Sequence, residues 1–376
     1  MLDRYLDLAG EVIGLSRKQG AHEVSVSLAN STSFQLEVRE QRIEALKEAG
    51  SSGIHITLSR KQRRSTVSSN DLRLETLEPL IRSTIEVLPL MGGDPYYTLP
   101  DQKLQGCAKI DLLFRDPEFE ACPSEEKLKN LLELEEEALA YDERLLTEEA
   151  YYSDSISYLV HADSNGFLEG CPKTLYSKGI SMFAEDGKAD IQDNSKSLNT
   201  GRKQSDGWFT CARYRRDLEP TGMLVKEAGT RTLRKLGAVK PKSCTAPVVF
   251  STEVAQSFLG SLAAAMMGDN VFRQQSYLKD RLGERIGDSG LRLIDEPLLP
   301  GKLGSRHYDN EGVEARPLVL IEEGVLQHFM CSTYSANKLK MQSTGHAGGI
   351  SNLVLEPGEF TEVELIAGVD NGLYLT

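Results

Sequence analysis

The chain has 376 residues, 40% of them hydrophobic and 26% charged, which is ordinary for a globular protein of one to three domains with a sizeable core. A net charge of −13 offers no basic face for a nucleic-acid backbone, so direct nucleic-acid binding is not expected, although a partner that itself binds DNA is not excluded. No apolar run reaches 18 residues and the acidic, amphipathic N-terminus lacks the layout of a signal peptide; with six scattered cysteines and no C-x-x-C pair, a reducing cytoplasm is expected.

Leu2, Tyr5, Leu6, Ala9 and Ile13 mark a first helix that stops at Gly20. Period-two runs follow at Val24–Leu28, Phe34–Val38 and Ile54–Leu58, with turns read at Asn30-Ser31-Thr32 and Gly50–Gly53, another strand at Arg42–Glu48 and one more at 63–69. A second helix runs to about Leu88. Residues 1–90 thus read as an α+β domain of helix, antiparallel strands and helix. Residues 91–124, with four prolines, read as a surface connection.

Residues 125–240 form a middle α+β segment that packs with the first domain. It starts with an acidic helix capped by Ser124, whose glutamates read as a solvated face. Strands follow at 145–152, 155–162 and 176–183, then a mobile loop at 186–206 and a helix at 222–236 stopped by Gly237. The order helix, strands, helix occurs twice, a weak sign of an internal repeat.

The third segment, 241–376, is β-rich and built around one helix. Val248-Val249-Phe250 leads to the N-cap candidates Ser251 and Thr252, and Val254, Phe258, Leu262 and Met266 recur beside Leu259, Ala263 and Met267. So wide an apolar stripe predicts a helix buried on most sides. It carries no His, Cys, Glu, Lys or Arg between Gln256 and Asp269. Strands are predicted at 291–294, 315–322 and 325–330, and a short helix at 335–339.

Met341 to Ile350 is the most glycine-dense stretch. Ser343, Thr344, Gly345, His346, Gly348 and Gly349 are the candidate peptide-contacting residues, because successive glycines let backbone N–H groups face an anion or an extended peptide; a plain structural turn is the alternative. Arg273 joins them as a candidate for a substrate carboxylate, as does Lys279, each against a solvated-surface reading. His307, within Arg306–Gly312, reads as part of a turn, because no spaced oxygen ligands follow as in a calcium loop. His22, His55, His161 and His328 read as structural. A Cys331–His346 pair stays open, since spatial neighbours need not be sequence neighbours.

Tyr334–Gly349, with its Ser-Thr-Gly-His-Ala-Gly-Gly string, resembles the signature of the TldD/PmbA family, as do Asp309–Val313 and Gly268–Arg273. The resemblance spans the whole chain and points to the PmbA branch, also called TldE. It implies an α+β fold and a metallopeptidase setting. In the TldD branch zinc is held by a His-Glu-x-x-x-His helix and a later cysteine. Counted back from Gly268-Asp269, those helix positions fall here on Leu259, Gly260 and Ala264, none of which can bind zinc or act as a base. The resemblance therefore implies a non-catalytic chain without a cofactor of its own. Its expected partner is a zinc-bearing TldD-type subunit in a heterodimer, with a homodimer as the alternative, acting on extended peptide. Family chains run on past Asp370–Thr376 with a further Gly-rich β segment, so this chain reads as shortened, with a sheet edge left open. The rival readings are a gyrase-modulating binding protein without proteolysis and a metal-independent peptide hydrolase.

Overall fold

Long alternation of apolar and polar residues builds the larger part of the molecule into one antiparallel sheet. The computed structural model describes residues 1–185 and 202–376. Helix α1 (Leu2–Lys18) leads into β1 (Glu23–Arg39), β2 (Arg42–Arg60), β3 (Arg63–Ser69) and α2 (Leu74–Val87). The pattern then recurs as α3 (Ser124–Tyr141), β4 (Leu146–Asp163), β5 (Leu168–Glu185), β6 (Lys203–Ala212) and α4 (Thr221–Arg234). The strand order is β3-β2-β1-β4-β5-β6, so the two units meet through the antiparallel β1–β4 pair, in which Ser31 lies opposite Ser157. This arrangement is a pseudo-twofold, and it gives the repeated element order a spatial counterpart.

All four helices cover the same face of the sheet. Along β1, Val24, Val26 and Leu28 pack in a core with α1 and α2, while Phe34, Leu36 and Val38 pack in a second core with α3 and α4. The even-numbered parity is unbroken between the two sets, as alternation requires.

Several sequence expectations are corrected here. The turns read at 30–32 and 50–53 lie inside continuous strands and pair with each other, Asn30 opposite Ser52 and Thr32 opposite Gly50. Their polar groups bond across the ladder, as in the 2.9 Å Ser31–Ser51 hydroxyl contact, instead of folding back locally. The true hairpins are at Glu40-Gln41 and Lys61-Gln62, all four with positive φ, the geometry that matches strand twist. The runs 145–152 and 155–162 are one strand. Of the loop expected at 186–206, residues 186–201 lie outside the described residues, and 203–206 begin β6. Glu135 of α3 is not solvated: it is buried and accepts the backbone N–H groups of Glu40 (2.8 Å) and Gln41 (2.7 Å), holding the first hairpin.

The C-terminal segment contains β7 (Val248–Phe250), α5 (Thr252–Met266), α6 (Gly268–Phe272), β8 (Leu293–Asp295), β9 (Leu318–Glu322), β10 (Val325–Leu326), α7 (Thr333–Leu339), β11 (Leu353–Leu355), α8 (Glu362–Ala367) and β12 (Leu373–Leu375). A four-stranded sheet runs β10-β9-β8-β11, and β7 pairs with β12 in parallel. The expected burial of α5 is overturned. Ala263, Ala265 and Met266 are buried, but Phe258, Gly260 and Ala264 are exposed, and Leu259 is half-buried. Only the C-terminal end of α5 enters the third core. Among the described residues no helix is long and apolar enough to cross a membrane.

The connection 91–124 stitches the two parts together. Asp94 accepts the Tyr334 hydroxyl at 2.9 Å and pairs with Lys338 at 3.2 Å, and Tyr97 stacks on Tyr334 with centroids 4.0 Å apart.

Candidate functional site

The glycine-dense loop is held from below by two buried aspartates. Asp309 takes the backbone N–H groups of Glu311 (2.9 Å) and Val313 (3.0 Å) on Oδ1 and that of Ala347 (2.9 Å) on Oδ2. One carboxylate thus closes its own Asp-Asn-Glu-Gly turn and ties that turn to the loop. Burial pushes the Asp309 carboxyl up despite those three donors. The geometry assigns the Asp309–Gly312 run to a structural turn.

Asp295, at the end of β8, holds the loop's other side. Its Oδ2 faces His346 Nε2 at 3.1 Å and accepts the Ser351 hydroxyl at 2.5 Å, and its Oδ1 accepts the Ser351 N–H at 2.8 Å. Burial acts to raise this carboxyl, but the bonds from His346 and Ser351 outweigh it, and the group lies below the usual carboxylate range. His346 itself is 2% exposed, and its Nδ1 sits 2.9 Å from the Thr344 hydroxyl. The side chain faces inward and pins the loop.

Of the other loop residues, Gly345 is enclosed, Ser343, Thr344 and Gly349 are half-buried, and Gly348 is exposed. Gly348 has φ +97°, and a Cβ there would lie 2.3 Å from the Asn310 side-chain nitrogen, so both conformation and space demand glycine. At Gly348 the loop presents backbone outward.

Arg273 is not gathered to this loop. It is exposed and pairs with Asp269 of α6 at 3.8 Å, and Lys279 is exposed beside Asp280. Cys331 and His346 do not form a couple. The thiol is buried near Gly268 and Ser335, and burial raises it to about 11, so it is protonated and inert near neutral pH. The Gly268-Asp269 motif has a packing reason: a Cβ at Gly268 would come within 2.7 Å of the Cys331 sulfur, and the Gly268 N–H donates to the Met330 carbonyl at 2.8 Å.

The residues around α5 do not fit a zinc ion. Leu259, Gly260 and Ala264 supply no nitrogen, thiolate or carboxylate, and among the described residues no three His, Cys, Asp or Glu side chains are grouped to hold a metal. Nothing within 4 Å would meet a Cβ at Gly260, so the position is open but chemically empty.

A cavity of about 390 Å³ lies at the seam where the uncovered face of the large sheet meets the turn 303–310. His161 and Lys173 from the sheet line it, with Arg306 and His307 from the turn. Sequence reasoning did not find Lys173 as a site residue; Arg306 and His307 lie more than 130 positions away, and no local pattern links them to it.

A two-unit antiparallel sheet joined to a smaller lobe that carries the inward-pinned glycine loop defines an α+β scaffold. Residues 117–236 match the PmbA/TldA metallopeptidase central domain, and residues 243–376 match the PmbA/TldA metallopeptidase C-terminal domain. The chain belongs to the PmbA/TldD family. It is similar to the Metalloprotease PmbA homolog of Buchnera aphidicola subsp. Acyrthosiphon pisum, 28% identical over 94% of this chain and 76% of that one. Metalloprotease PmbA of Escherichia coli O157:H7 is also 28% identical, over 96% and 77%. Among solved structures, a candidate modulator of DNA gyrase from Bacteroides thetaiotaomicron superposes with a TM-score of 0.89 at 28% identity, covering 98% of this chain and 81% of that one. TldE from Thermococcus kodakarensis shares the fold, with a TM-score of 0.80 at 18% identity over 98% and 82%.

Proposed function

We propose that this chain is a non-catalytic, PmbA/TldE-like companion subunit of a TldD-type metallopeptidase, handling extended peptide while zinc and hydrolysis reside on the partner. The observation that carries this reading is the surface of α5. Where a metal helix needs donors, this chain offers Leu259, Gly260 and Ala264, with the latter two exposed. An exposed apolar helix in a soluble setting favours a covering partner. Phe258 is 55% exposed and packs on Phe250, itself 40% exposed, with ring centroids 4.7 Å apart. Leu373 and Leu375 of the adjoining β12 extend the patch.

Co-expression with a TldD-type chain tests the reading. The two are expected to co-purify, and peptide hydrolysis by the complex is expected to vanish when the partner's zinc ligands are replaced. Hydrolysis by this chain alone, or survival of activity in that partner variant, would contradict it.

A second reading has one observation in its favour: the 28% identical solved structure is described as a candidate modulator of DNA gyrase. On that reading the chain binds gyrase without a TldD-type chain present, and a pull-down of purified gyrase by the chain alone would separate the two.

A further inference from the structure

Two cations, Lys173 and Arg306, line the seam cavity, a third, Arg213, lies behind its Leu303 wall, and among the described residues no carboxylate lies within ion-pairing distance of any of them. Lys173 on β5 has its Nζ 4.3 Å from the Phe114 ring centroid and donates weakly to the Ser305 carbonyl at 3.4 Å, which leaves two of its three N–H groups free for a ligand. Arg213, just past β6, is buried. Its Nη1 donates to the Thr174 carbonyl at 3.0 Å and its Nη2 to the Leu303 carbonyl at 2.7 Å, while its buried Nε has no partner. Arg306 donates through Nη2 to the carbonyls of Gly345 (3.3 Å) and Gly349 (2.7 Å), and its Nε is likewise buried and unpartnered. His307 adds a buried Nδ1 without a partner.

The acids that reach this cluster do so at longer range. Asp295 and Asp309 act on Arg306, but each carboxylate is already engaged, by His346 and Ser351 in one case and by three backbone N–H groups in the other. Burial pushes the Lys173 ammonium down in pKa, the nearby Cys171 works against that shift, and Arg213 and Arg306 push with burial. Positive charge withdrawn from water without a counter-ion is costly, and a fold that keeps half-buried Lys173 and Arg306 at one cavity, with buried Arg213 behind them, is built to receive a negative group. The setting sharpens the point, because the chain as a whole carries −13.

The cavity's size and walls narrow the ligand class. About 390 Å³ is in the range of pockets that hold organic ligands and exceeds the need of a bare oxyanion. Its apolar wall is accessible: Leu159 is 37% and Leu303 43% exposed, with Phe114 beside them. We propose that the seam cavity is a carboxylate site, in which Lys173, backed by Arg306 and Arg213, receives the terminal carboxylate of a short peptide whose last, apolar side chain lies against Leu159, Leu303 and Phe114. The choice of a peptide as carrier rests on the peptide-handling reading above; the charge argument stands without it.

Calorimetric titration of the metal-free chain with Ala-Ala-Leu as the free acid and as its C-terminal amide tests the site, with inorganic phosphate as a third probe. The acid is expected to bind about tenfold or more tightly than the amide, the scale of one charge-assisted hydrogen bond. Lys173→Met is expected to erase that difference while leaving the melting temperature equal or higher, since it removes a half-buried charge that has no counter-ion. Lys173→Arg should retain part of the preference. Leu159→Asp, on the exposed wall, is expected to weaken the acid without touching the cations, and it keeps the test decisive if a lysine variant fails to fold. Equal binding of acid and amide, or an unchanged preference in Lys173→Met, would overturn the site. Binding of phosphate without binding of the peptide acid would overturn the peptide as carrier. Zinc plays no part in these readouts, so their failure leaves the companion reading untouched, and zinc uptake by this chain would end that reading without bearing on the cavity.

Discussion

At the scale of single residues, the loop that looks most like a binding site is first a piece of internal carpentry. His346 and Asp295 lie 51 positions apart, and no sequence pattern links them, so an inward hydrogen bond and an outward ligand contact look the same in the string. Breaking one side of such a buried pair leaves an uncompensated partner, and His346→Ala is expected to lower stability by about 3 kcal/mol in denaturant titration. Gly348→Ala adds a Cβ at a positive φ and against Asn310, and should cost about 1–3 kcal/mol. The pH dependence has a definite sign. The Asp295 carboxyl is held below its unfolded value of about 3.9, so its contribution is fully present above about pH 4 and is lost as the pH falls through the folded value. Asp309, raised by burial, works in the opposite sense. Asp295→Asn is therefore expected to show a shallower loss of stability below about pH 4 than the parent chain. A parallel acid limb in the two proteins would refute that assignment.

At the scale of elements, α+β character, the N-terminal helix and most strand positions were legible because alternation and helical spacing are local. Turn chemistry was less reliable. Ser, Asn and Gly at 30–32 and 50–53 resemble hairpin tips, yet in strands this long they bond across the ladder, and the real tips use Glu-Gln and Lys-Gln pairs driven into positive φ by strand twist. Strand β6 escaped notice because Ser205, Asp206 and Gly207 break its pattern. The family motifs were legible as strings, but their reasons were not: Gly268 is needed against Cys331, and Asp309 organises backbone. For α5, apolarity all round predicts burial within the chain, yet only its C-terminal end is buried. Composition reports that a surface avoids water, not which molecule covers it. Phe258→Asp accordingly tests the exposed face. It is expected to leave the unfolding free energy within about 1 kcal/mol of the parent and to abolish co-purification with a TldD-type chain, whereas a large loss of stability would mean the face is buried within this chain.

At the scale of the whole molecule, the pseudo-twofold sheet serves as a platform. One face is spent on four helices and two cores, and the other is left partly open where the small lobe docks through Asp94, Tyr97 and the turn 303–310. That seam is where charge collects, and α5 with the β7–β12 pair is where apolar surface collects. In the proposed companion role, peptide is held here and a neighbour does the cutting. The most direct measurement is elemental analysis of the purified chain after incubation with zinc and removal of excess metal. Far less than one zinc per chain is expected, since Leu259, Gly260 and Ala264 give the ion nothing to bind. One tightly held zinc per chain would contradict the companion reading.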